Sequence, residues 1–155
     1  VANTSYVDKA GEFVVNPQFD GAWHFSEGLA GVGIGEKWGY IDRTGKLVIN
    51  PQFDGAWHFS EGLAMVQVGN SYGYINRTGK LVINPQFDFA SGFSEGLAVV
   101  RIGDKCGYID RTGKFVINPQ FDMAESFSGG LAPVNIGGKW GYIDKTGKFV
   151  WGPSE

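Results

Sequence analysis

NPQFDGAWHFSEGLA occupies residues 50–64, and the same fifteen letters occupy residues 16–30. A phrase of that length does not recur by chance in a chain of 155 residues, so it marks internal duplication rather than a catalytic motif. Outward from it, the pairs Gly39-Tyr40, Gly73-Tyr74, Gly107-Tyr108 and Gly141-Tyr142 follow one another at a spacing of 34, with Ser5-Tyr6 as a diverged first copy. NPQFD keeps step at Asn16, Asn50, Asn84 and Asn118, and FSEG at Phe25, Phe59 and Phe93 continues as FSGG at Phe127. Residues 1–155 therefore read as one repeat domain with units 5–38, 39–72, 73–106 and 107–140 and a partial unit 141–155.

Inside a unit the period is two, the signature of strands. In LAMVQV, residues 63–68, Ala64, Val66 and Val68 are apolar, as are Ala30, Val32 and Ile34 one unit earlier. That predicts one buried strand face, with the slot of Gly33, Gln67, Arg101 and Asn135 turned to solvent. A Gly-bearing turn leads to a second strand, KWGYI or its variants, as a hairpin requires. DRTGK at Asp42 to Lys46 supplies the next turn, because Asp bonds its own turn backbone. KLVI or KFVI makes a third strand, and Pro17, Pro51, Pro85 and Pro119 are expected to end the pairing, since proline offers no N–H. Helix is disfavoured by 25 glycines and by the β-branched residues between them. Only the connector FDGAWHFSEG has three-residue apolar spacing, at Phe53, Ala56 and Phe59, compatible with a single helical or 3₁₀ turn.

KWGYIDRTGKLVI followed by NPQFD and FSEGLA resembles the WG (or KWG) repeat of bacterial proteins, which occurs in tandem arrays of variable copy number. The resemblance runs from Ser5 to Val150 and departs at Tyr72 and Cys106, which replace the signature Trp of Trp38 and Trp140, and at Ser5, where the Gly is lost. It implies an all-β repeat protein that acts as a binding or scaffold module, with no common activity attached.

Three strands per unit cannot bury both of their faces alone, so each unit must lean on its neighbours. The expected architecture is an open, solenoid-like array of hairpin units, and the alternative is a small five-unit β-propeller. The open form is favoured because both ends carry the same GYID-to-KFV hairpin and neither supplies the other's missing LAxVxI strand. Choline-binding repeats, hairpins built on Trp, Tyr and Gly, are a looser likeness pointing the same way.

A net charge of −3 with no block of either sign argues against nucleic acid as a partner. Membrane insertion is not expected, since no apolar run approaches the ~20 residues of a spanning helix, and the opening VANTSYVDK lacks the basic start and apolar stretch of a signal peptide. The single cysteine, Cys106, excludes an intramolecular disulfide, leaves the redox compartment open, and in the Trp slot reads as a small buried hydrophobe. Sequons at Asn3 and Asn76 are three-residue patterns with little weight. No zinc, thiol-redox or phosphate-loop motif is present, and GVGIG at residues 31–35 falls in a strand slot. The two histidines, His24 and His58, are copies of one position that reads Gly92 and Ser126 elsewhere, which is no basis for a catalytic triad. The carboxylate pairs Asp20 with Glu27 and Asp54 with Glu61 read as turn caps rather than as an acid and a base. Neither an enzymatic activity, a metal nor a cofactor is expected.

Positions identical in every copy serve the architecture, whereas exposed positions that vary are free for recognition. The second class holds Trp23-His24, Trp57-His58, Ser91-Gly92 and Glu125-Ser126. Because Trp anchors both protein partners and sugar rings, Trp23, His24, Trp57 and His58 are the candidate binding residues. A slot that accepts Glu125 should be exposed, so Trp23 and Trp57 are expected at the surface and Trp38 and Trp140 inside. A protein partner is the leading expectation and a glycan or cell-wall polymer the alternative.

Overall fold

A computed structural model describes residues 4–7 and 13–152, with side chains from residue 19 onward. Among these residues the chain is all-β and carries no helix. β1 (Thr4–Val7) and β2 (Phe13–Phe19) form a two-stranded hairpin. Four open, four-stranded antiparallel sheets follow. The first contains β3 (Gly21–Ala22), β4 (Ala30–Ile34), β5 (Lys37–Ile41) and β6 (Leu47–Phe53). The second contains β7 (Gly55–Ser60), β8 (Leu63–Val68), β9 (Ser71–Ile75) and β10 (Leu81–Phe87). The third contains β11 (Phe89–Ala90), β12 (Ala98–Ile102), β13 (Lys105–Ile109) and β14 (Phe115–Phe121). The fourth contains β15 (Met123–Ala124), β16 (Leu131–Ile136), β17 (Lys139–Asp144) and β18 (Phe149–Trp151).

Two expectations are corrected here. The connector makes a fourth strand instead of a helical turn: Gly55 pairs Gln67 and Ala56 pairs Val66 before a bulge. Those pairings satisfy backbone groups that a lone helical turn would leave to solvent. Proline does not end the third strand either, because β6 continues through Pro51 to pair Phe53 with Trp38. Pro51 lies on an edge strand and within a bulge, where its missing N–H costs no ladder bond. The bulged backbone passes so close over Gly39 that a Cβ there would stand 2.4 Å from the Ile49 carbonyl oxygen and 2.7 Å from the Pro51 nitrogen. Close approach, not turn geometry, is what the recurring Gly-Tyr glycine serves.

Each sheet spans the junction of two sequence units, so the partial C-terminal unit completes the fourth sheet and the N-terminal hairpin is a half-sheet. Both faces of each sheet are used. Ala56, Phe59, Ala64, Val66 and Ile75 of the second sheet pack on Tyr40, Ile49 and Phe53 of the first. The same slots recur between second and third sheets and between third and fourth. The strand expected to bury one face is therefore buried on both over Leu63 to Val66. Val68, with Ile34, Ile102 and Ile136, is exposed instead, because it overhangs at the hairpin tip. The slot assigned to solvent is buried at Gly33 and Asn135 and exposed at Arg101.

Among the described residues, none covers the far face of the fourth sheet. Tyr40, Tyr74 and Tyr108 are fully buried, whereas Tyr142 in the same slot is 44% exposed. A closed ring would bury that tyrosine, so the array is open at this end.

Candidate binding surface

Three side chains from each of the first three sheets reach forward to the connector of the next and hold it in place. Tyr40 Oη donates to the Trp57 carbonyl at 2.8 Å and Ser26 Oγ to the Phe59 carbonyl at 2.7 Å. The Gly62 N–H donates to the Glu27 carboxylate at 3.1 Å. The same trio recurs between later sheets, as in Tyr108 to Glu125, Ser94 to Phe127 and Glu95 to Gly130. Burial raises the phenol pKa of Tyr40, Tyr74 and Tyr108 above the ordinary tyrosine value, which keeps these donors protonated. The connectors are thus fixed elements, and the clefts between consecutive sheets open beside them.

The acidic residues are occupied in the same structural work. Asp20, Asp54, Asp88 and Asp122 accept from the N–H of Gly35, Gly69, Gly103 and Gly137 in the hairpin turns. Lys37, 2.6 Å from Asp54, and the Gly69 N–H hold that carboxyl below the usual range, and Lys105 does the same to Asp122. Backbone N–H groups of Gly130 and Gly129 depress Glu95 likewise. Carboxylates so engaged are poor general acids at neutral pH. Among the described residues no cluster of three or more His, Cys, Asp or Glu could hold a metal. The Asn76 side chain takes three bonds within its own turn, from the Thr78 N–H and hydroxyl and the Lys80 N–H. Asn3 lies outside the described residues.

The two identical Trp-His phrases occupy different surroundings. Trp23 is 38% exposed and lies over Gly31, where a Cβ would stand 2.8 Å from its Cδ1. Its indole stacks on Trp38 at 5.8 Å and 25° and meets the edge of His58 from the next connector at 5.8 Å. One unit on, Met65 replaces Gly31 and blocks that floor. Trp57 is half-buried, lies over Gly55, and tilts against Tyr72 at 5.7 Å. His24 and His58 are exposed.

The expected burial of Trp38 and Trp140 is overturned. Trp38 sits half-buried at the rim of the first cleft, lying on Gly21 and Gly33, and Trp140 is 40% exposed, with no sheet packed on its face among the described residues. Cys106 in that slot is buried, and burial pushes its thiol pKa up.

Sequence reasoning missed Phe89 and Met123. They occupy the slot of Gly21 and Gly55, and that switch from glycine to large apolar residues was the available signal. Both are exposed beside the third cleft, which contains two cavities. One, of about 450 Å³, is bounded by Phe89, Ser91, Val99, Ser126 and Pro133 among others. The other, of about 290 Å³, is bounded by Phe89, Arg101, Cys106 and Met123 with Asp122 and Ala124.

A family model described as "WG containing repeat" matches residues 5–38, 38–72, 72–106, 107–140 and 140–150. The chain matches none of the curated proteins. Among solved structures it is similar to a plant lectin with two metal binding sites from Cicer arietinum, at 15% identity and a TM-score of 0.36, covering 89% of this chain and 90% of that one. A hemopexin fold protein from cow pea is similar at 15% identity and a TM-score of 0.36, covering 86% and 91%. A structure reported for the de novo evolutionary emergence of a symmetrical protein aligns at 8% identity and a TM-score of 0.43, covering 93% and 79%.

Proposed function

The chain belongs to the WG-containing β-repeat family, and from that premise we propose that it is a non-enzymatic scaffold that binds another protein along its connector side. The supporting observation is the convergence of variable slots on the clefts, where large apolar side chains stand exposed. Trp23 is 38% exposed at the first cleft, and at the third Phe89 and Met123, 48% and 56% exposed, stand beside two open cavities and among polar serines and carboxylates. Exposed apolar anchors rimmed by polar groups are the pattern of protein recognition sites. Fixed connectors add to the reading, because a surface already ordered loses little entropy on binding.

One feature favours a second reading. The Trp23 indole, 38% exposed with its Cδ1 edge against Gly31 and paired with Trp38, belongs to an exposed tryptophan cluster of the type on which a sugar ring packs. Selection from a displayed peptide library against the purified chain, run beside a glycan array, separates the two. Under the protein reading, selected peptides lose at least tenfold in affinity against Phe89→Ser/Met123→Ser. Glycan hits abolished by Trp23→Ala/Trp57→Ala, with no peptide selected, would replace that reading with the glycan one.

A further inference from the structure

The third cleft differs from the first at each of its ring positions. In the first, Trp23 and Trp38 stack together, with Gly31 beneath Trp23 and His58 at its edge. In the second, Trp57 and Tyr72 are paired and Phe89 reaches Tyr72 at 6.1 Å. Two repeat periods on from the first cleft, Ser91 stands for Trp23, Cys106 for Trp38 and Ser126 for His58. The third cleft has lost both tryptophan rings and the imidazole, and the two cavities lie where they are missing. The larger is bounded by Ser91 and Ser126, and the smaller by Cys106. Consecutive sheets remain held by the same forward bonds, so the cleft has not closed over the lost volume.

We propose that the larger cavity is a receptor for an aromatic side chain, tryptophan or tyrosine, supplied by the partner; this rests on the protein-binding reading above. The walls set the chemistry. Val99, Ala124 and Pro133 give an apolar floor, and the Phe89 ring gives a face against which a second ring can stack or meet edge-on. The rim carries Ser91, Ser126, Ser128 and Glu125, which offer acceptors to an indole N–H or a phenol O–H. No lysine or arginine lines this cavity, which disfavours a phosphate or carboxylate as occupant. At about 450 Å³ it falls within the ~300–1,000 Å³ of ordinary ligand pockets. The incoming ring need not copy the pose of Trp23, since Val99 occupies the floor that Gly31 leaves free. It enters from solvent and is not tethered at residue 91.

N-acetyltryptophanamide, titrated into the isotope-labelled chain and followed by amide shifts, is the direct probe. The expected result is saturable shifts at Val99, Ser126 and their neighbours, with at least tenfold weaker binding of N-acetylleucinamide. Ser126→Trp, which fills the mouth, and Phe89→Ser, which removes the stacking wall, should each abolish the response. Residues 89 and 126 are exposed, so neither change endangers the fold, and a retained amide spectrum confirms that. Non-saturating shifts, or equal binding of the leucine analogue, overturn the receptor. Library-selected peptides whose affinity survives replacement of their aromatic residues by leucine also overturn it, while leaving the protein-binding reading standing. Saturation by the tryptophan probe with no peptide selected keeps the cavity as a site for an aromatic ring but sinks the protein-binding reading, and with it the partner as the source of that ring.

Discussion

At Glu61 the backbone is in the left-handed region, φ 54°, as it is at Glu27 and Glu95. A non-glycine residue there costs ~1–3 kcal/mol and persists only when something holds it. The holding contact is the forward bond, since the Glu61 carboxylate accepts the Gly96 N–H at 3.0 Å. The fourth unit has Gly129 in this slot, at φ 61°, and no carboxylate. Glu61→Ala, which loses the bond and keeps the strain, should therefore be ~1–2 kcal/mol less stable than Glu61→Gly, which loses the bond and relieves it. Urea unfolding of the two variants measures the difference. A sharper contrast concerns glycines. A Cβ at Gly73 would stand 2.6 Å from the Ile83 carbonyl oxygen, whereas around Gly62, at φ 82°, space is open. Gly73→Ala should cost ~3 kcal/mol through overpacking against backbone, and Gly62→Ala only ~1 kcal/mol of backbone strain. At this scale the sequence was informative about Trp23, since Glu125 in its slot announced exposure. It was uninformative about Trp140, because burial there depends on whether another sheet follows and not on the residue itself.

Among elements, the turn after the third strand of each sheet shows a charge that the fold does not require. Asp42, Asp110 and Asp144 each accept from a Thr hydroxyl, a Thr N–H and a Lys N–H, and the Thr hydroxyl foremost depresses the carboxyl pKa in each. A group with a depressed folded pKa contributes stability above its unfolded value, about 4, and that contribution is lost as pH falls through the folded value. Thermal melts should shift downward over that acid window. Asn76 makes the same three bonds without a charge. Asp110→Asn should therefore leave the melting temperature nearly unchanged at neutral pH and flatten the acid loss. A large neutral-pH loss would show that the charge itself holds the turn. The three long strands and both turns of each unit were legible because their period and glycines extend over several residues. The connector strand was not, since β3, β11 and β15 are only two residues long and fall beneath any periodic window. The passage of β6 through Pro51 was hidden for another reason: a bulge is a property of two strands together, and the residues of one strand do not declare it.

For the whole molecule, each joint uses the same slots on the same two faces, and among the described residues the far face of the fourth sheet is uncovered. An array of this kind has stability that approximates a sum over units and nearest-neighbour joints. In-register deletion of residues 39–72 should leave a shorter folded protein with β-type circular dichroism and a cooperative melt at lower temperature. Collapse after that deletion would mean that the ends depend on each other, as in a ring. The clefts became visible only at this scale, since a missing ring is evident only when one joint is laid beside the next. The forward direction of Tyr, Ser and Glu has a genetic corollary. A segment one unit long, copied in frame, carries both the side chains that reach forward and the backbone groups that meet them, so gain or loss of copies by recombination needs no compensating change. The fifteen shared letters are the kind of trace such an event leaves. Once copied, a connector is free to drift at its cleft slots while its forward contacts stay fixed, so one lineage of duplications can yield a series of dissimilar pockets on a single frame.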